Sequence, residues 1–154
     1  MRQILTIGLV SALLAACGGS DPEPAAGPDP RDELRDWVDT AEAVAEDKDR
    51  RGLLSMISEN YADGRGNDRE KVGDILRVYF MRAESIALLT SIDEIELMGD
   101  TAALVDVTVG MAGTDASALG LSAKAYKFEF ELEKPADEWM LIGARWGKVG
   151  RDLR

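Results

Sequence analysis

The chain holds one cysteine, Cys17, and no histidine. A lone cysteine forms no intramolecular disulfide and no multi-cysteine metal site. Without histidine there is no Ser-His-Asp or Cys-His unit, and the common zinc sites lose their usual ligand. What remains is one thiol together with carboxylate, phenol and guanidinium chemistry. Asp106 sits mid-run among valines. The apolar set Ala103, Val105, Val107, Val109 and Met111 belongs to a packed face, which puts Asp106 with Thr108 on the opposite, solvated one. Tyr61 and Asp63 open the stretch YADGRGND. Such a hydroxyl–carboxylate pair can hold a polar ligand at a pocket mouth, but a packed ring followed by a turn is the favoured reading.

Two ligand patterns fail on spacing. Counted from Asp63, a calcium loop would need Gly at position six and Glu at position twelve, where the chain has Asp68 and Asp74. Gly110, Gly113 and Gly120 lack the Lys-Ser/Thr of a phosphate loop. No catalytic residue, metal or cofactor is assigned. Tyr61, Tyr79, Trp37 and Arg145 are the candidate lining of an aromatic pocket, with Arg145 able to meet an anion or to pair with a strand glutamate. The segment 113–120 reads as a small-residue hairpin loop.

Charge excludes further classes. Eighteen basic against 29 acidic residues give −11, and loss of Arg2 with residues 1–16 would leave −12. Such a domain lacks the basic footprint that nucleic acid requires and is repelled by anionic lipid. With 45% hydrophobic residues it can build a core.

Residues 1–16 read as a signal peptide: Arg2, then the uncharged apolar run 4–14, then Ala15 and Ala16 before Cys17. The run is too short to cross a bilayer, which takes about 20 residues. Leu14-Ala15-Ala16-Cys17 resembles the lipobox of bacterial lipoproteins. The resemblance implies that Cys17 receives a diacylglycerol, that cleavage falls before it, and that its new amino group is acylated. In the enteric sorting pattern, Gly18 and Gly19 imply an outer-membrane anchor facing the periplasm. Residues 17–29 then form the lipidated cysteine and a Pro/Gly-rich linker, whose residues 18–29 span on the order of 35 Å if extended.

The domain expected over residues 30–149 starts with Asp29 as a helix N-cap and Pro30 at the first helical position. Leu34, Trp37, Val38, Ala41, Val44 and Ala45 mark one amphipathic helix ending near Asp47. A second covers 50–58. Residues 61–68 read as a loop, closed by a capping-box-like Asn67-Asp68-Arg69-Glu70. A third helix carries Val72, Ile75, Leu76, Tyr79, Phe80 and Ala83 on one face. Alternation then marks strands at 86–97, kinked near 90–93, at 103–111, at 126–133 and at 139–146. Residues 150–154 read as a basic tail. The order gives an α+β fold, helices first and an antiparallel meander after.

This order, with Asn60-Tyr61-Ala62-Asp63 and the closing Asp137-Glu138-Trp139 and Ala144-Arg145-Trp146, resembles the nuclear transport factor 2-like superfamily (ketosteroid isomerase and polyketide cyclase relatives). The resemblance implies three helices packed on a strongly curved, cone-like sheet, often around a pocket. It also implies a Tyr from the first helix in isomerase-like members, where this chain has Trp37. The leading expectation is a membrane-anchored envelope lipoprotein that binds a small apolar ligand or a protein partner without catalysis. One alternative is an isomerase- or cyclase-like enzyme with an Asp/Tyr pocket. Another is a homodimeric interaction module pairing through the sheet's outer face. There Glu129, Glu131 and Glu133 would oppose like charges, beside a patch of Trp139 and Leu141.

Overall fold

The computed structural model describes residues 27–115 and 121–154. The signal peptide, Cys17, most of the linker and the centre of the 113–120 loop lie outside the described residues.

Helix α1 spans Pro30–Glu46 and begins as its residues dictate. Asp29 accepts the Arg31 N–H at 2.9 Å, Pro30 opens the first turn, and Asp32 and Glu33 sit at the positive end of the dipole. The helix buries Leu34 and Val38. Lys48, at φ 55°, turns the chain into α2, Arg50–Ser55. The second helix is therefore shorter than the 50–58 its composition suggests, and residues 61–63 are strand rather than loop. Strand β1 spans Ile57–Asp63. The cause is tertiary: the Leu141 N–H donates to the Met56 carbonyl at 2.9 Å, and Ile57, Ala62 and Asp63 pair with a later strand. A long-range ladder overrides local helix propensity.

Helix α3, Arg69–Arg82, is capped by Asp68, which accepts the Lys71 N–H at 2.8 Å. The expected capping box does not close, because Asn67 is committed elsewhere. Its backbone and side-chain N–H groups both donate to Asp63, at 2.8 and 2.7 Å.

The remaining strands are β2 (Ala83–Leu97), β3 (Ala102–Asp115), β4 (Leu121–Glu133) and β5 (Met140–Lys148). The sheet order is β1-β5-β4-β3-β2, antiparallel except for the parallel β1–β5 pair. A register shift between Ile92 and Glu94 falls where the kink was expected, and such bulges bend a sheet. The three helices cover the concave face of this curved, unclosed sheet, so the fold is the α+β cone anticipated.

The core sits at the narrow end. Leu34 and Val38 meet Val105, Val107, Leu132, Trp139 and Leu141, all nearly inaccessible to solvent. Trp139 and Leu141 are 5% and 7% exposed, so the outer-face patch expected of them does not exist. The outer face is ionic instead. Arg145 pairs with Glu129, and Lys127 reaches Asp106 at 3.3 Å.

Candidate functional site

The wide end of the cone holds an apolar cavity of about 390 Å³. Its size lies within the range of roughly 300–1,000 Å³ usual for small-molecule sites. Helix α3 forms one wall with Ile75, Leu76, Tyr79, Phe80 and the following Ala83. Ala45 of α1 and Leu53 of α2 close the top. The sheet supplies Ile86 and Leu88 of β2, Met111 of β3, Tyr126 and Phe128 of β4, and Trp146 of β5. Polar groups in the lining are Ser85, Lys124, the two tyrosine hydroxyls and the Trp146 indole N–H. No carboxylate is among the described lining residues.

This wall follows from the sequence pattern. The period-3.6 apolar face of α3 has no helix or sheet pressed against its wide-end half, so it lines space. Ile75 is 48% and Tyr79 43% exposed. On β4, alternation sends Phe128 and Tyr126 inward. The rings form a connected aromatic floor, Phe128 stacked on Trp146 at 6.1 Å and Tyr126 edge-on to Trp146 at 6.3 Å. The Arg65 guanidinium lies over the Trp146 ring, 3.4 Å from its centroid, and donates to the Trp146 carbonyl at 3.1 Å. The C-terminal residues add to this support. Arg154 exchanges backbone hydrogen bonds with Trp146 at 3.0 and 3.3 Å. Gly64 allows the close approach, since a Cβ there would stand 2.6 Å from the Arg154 backbone.

Of the four residues named from sequence as pocket candidates, Tyr79 lines the cavity. The other three stand elsewhere. Trp37 packs edge-on against Phe130 at 5.9 Å, and its buried Nε1 has no partner among the described residues. Tyr61 is a buried β1 residue, and burial pushes its phenol well above the usual range, with Asp63 adding to the shift. Asp63 is a turn-former. Burial alone would raise its carboxyl. Hydrogen bonds from the Asn67 side chain and from the Asn67 and Arg65 backbones outweigh that and hold it below the usual range. Arg145 lies on the outer face, Nε 2.9 Å from Glu129 Oε1. Asp106 also faces outward, beside Lys127, as its strand phase required. The described residues contain no cluster of three or more acidic, cysteine or histidine ligands. The cavity aromatics that the sequence pattern does not single out are Tyr126, Phe128 and Trp146. The one available signal was that β4 reaches Lys124 in the same inward phase, which a filled core would not tolerate.

No protein-family model matches the chain, and no curated protein matches it. Solved structures do. A ketosteroid isomerase-like protein from Erwinia carotovora atroseptica aligns with a TM-score of 0.66 at 11% identity, over 80% of this chain and 99% of that one. A hexachlorocyclohexane dehydrochlorinase aligns with a TM-score of 0.68 at 12% identity, over 80% and 88%. A protein of the nuclear transport factor 2-like family from Streptomyces avermitilis gives 0.67 at 14% identity, over 79% and 98%. At such identities the likeness is one of fold, and the fold is nuclear transport factor 2-like.

Proposed function

We propose that this chain is an envelope lipoprotein, anchored through lipid on Cys17, whose domain binds a small apolar ligand in the wide-end cavity without turning it over. The observation that carries the binding half is the cavity itself: a preformed space with an aromatic floor and an aliphatic ceiling, and few polar groups. The acyl half rests on the run 4–14, the small residues before Cys17 and the linker after it.

N-phenyl-1-naphthylamine, a neutral fluorophore that brightens in apolar surroundings, tests the binding half. The purified protein should enhance and saturate its emission, and Ala45→Phe, which fills the ceiling, should abolish the signal while leaving the thermal transition in place. Saturable binding unaltered by the filled ceiling would place the ligand elsewhere. For the anchor, cells given labelled palmitate should label the parent chain, and Cys17→Ser should carry no label. A labelled Cys17→Ser chain or an unlabelled parent would exclude lipid on Cys17 as the attachment.

The enzyme alternative draws on the isomerase-like and dehydrochlorinase neighbours. An Asp/Tyr pair needs its acid beside its phenol. Here Tyr79 and Tyr126 line the cavity while Asp106 lies across the sheet, paired with Lys127. The binding reading fits this arrangement better.

A further inference from the structure

The cavity's polar character is graded. Inward-facing residues of β4 run Leu132, Phe130, Phe128, Tyr126, Lys124 from the narrow end to the mouth. Leu132 is 1% exposed and Lys124 is exposed, so the row passes from dry core through aromatic wall to a cation in water. The neighbouring strand repeats the ending. Phe128 pairs with Trp146 and Tyr126 with Lys148, so Lys148 stands on the same face as Tyr126 at the rim. Two lysines from adjacent strands thus flank one phenol. Lys127 on the outer face and Lys134 at the narrow end are matched to carboxylates. Among the described residues, neither Lys124 nor Lys148 makes an ion pair. The Tyr126 hydroxyl likewise makes no hydrogen bond to a described residue. In a chain of net charge −11, two unmatched cations at the rim of an apolar cavity favour an anion there and disfavour a cation.

We infer that the ligand is an amphiphile with an apolar body and an anionic head. The body lies against Phe80, Phe128 and Trp146, and the head is held at the mouth between Lys124 and Lys148, with the Tyr126 hydroxyl as a further donor. This rests on the cavity being a ligand site and adds the class of ligand.

Two fluorophores with one ring skeleton separate the claims: N-phenyl-1-naphthylamine, which is neutral, and 1-anilinonaphthalene-8-sulfonate, which carries an anionic group. The anionic probe should bind more tightly. The double substitution Lys124→Gln, Lys148→Gln should weaken it by about three- to tenfold, the scale of two exposed charge contacts, and leave the neutral probe unchanged. Lys127→Gln, on the outer face, should change neither. If both probes bind alike and the double variant shifts neither, the head-group inference falls and the cavity reading stands. If Lys127→Gln weakens the anionic probe as much as the double variant does, the charge effect is not local and the inference falls. If neither probe binds, the cavity reading falls and takes this with it. Phosphatidylglycerol vesicles present the same chemistry on a bilayer. The chain from Gly18 to Arg154, without signal peptide or lipid, should not cosediment with them, and lysine-dependent cosedimentation would reassign the pair to a lipid surface.

Discussion

Glu33 shows how one carboxylate closes the narrow end of the cone. It accepts two hydrogen bonds from Lys134 Nζ, at 2.8 and 2.7 Å, and one from Trp139 Nε1 at 2.9 Å. The hydrogen bond from Lys134 and then that from Trp139 hold its carboxyl below the usual range. A carboxyl so lowered binds protons more weakly in the native state than in the unfolded chain. Its stabilisation is complete above the ordinary carboxylate range and is lost as pH falls through the native value. Asp63, lowered by its own turn, acts in the same direction. Glu33→Gln should therefore lower the melting temperature at pH 7, and the gap from the parent should shrink below about pH 4. A gap constant from pH 7 to pH 3, followed by circular dichroism, would mean that shape rather than charge matters at this position. From sequence, Glu33 is legible only as a first-turn acid. Its partners stand about a hundred positions along the chain, and no local pattern encodes a contact of that kind.

The elements were legible where period and punctuation agree, and illegible where a distant partner decides. Asp29-Pro30 and the alternation of β4 each carry their own structure. Residues 56–63 do not, because β1 exists only through its parallel pairing with β5. The wide-end half of α3 was legible as amphipathic but not as a cavity wall, since periodicity reports an apolar face and is silent on what fills the space beyond it. The edge strand β2 exposes another device of this kind. It has no strand neighbour on one side. There the Leu88 N–H donates to Glu46 at 2.7 Å and the Thr90 N–H to Glu42 at 3.2 Å, with the Thr90 hydroxyl also on Glu42. Helix α1 thus covers part of the edge with carboxylates, which both binds helix to sheet and blocks pairing with another chain. Replacing Glu42 and Glu46 together by Ala should cost about 1–3 kcal/mol in urea denaturation, the range for losing acceptors of partly buried N–H groups. Gln at both positions, keeping an acceptor, should cost less. Equal losses for Ala and Gln would show that the carboxylate charge, not the acceptor, holds the edge.

At the scale of the whole molecule, the two ends of α1 are assigned to different tasks. Its first turn belongs to the narrow end: the Arg31 guanidinium donates to the Ile95 carbonyl at 2.6 Å, and Glu33 holds Lys134 and Trp139. Its last turn belongs to the wide end, where Ala45 lines the cavity. The 17 residues between place these ends about 25 Å apart. A tether arriving at Pro30 from lipid on Cys17 would then meet the domain at its closed end, with the mouth directed away from the bilayer. Net charge points the same way, because a chain left at −12 by loss of residues 1–16 gains nothing by lying on anionic lipid. The proposed anchor leaves the chain with no other cysteine, so an introduced thiol can be labelled alone. Asp137→Cys beside the closed end and Lys124→Cys at the mouth, each carrying a fluorophore, should differ when the protein is bound to vesicles containing doxyl-labelled lipid. Quenching should be stronger at position 137. Equal or reversed quenching would mean that the domain turns its mouth to the bilayer, and the ligand would then be taken from the membrane rather than from the surrounding water.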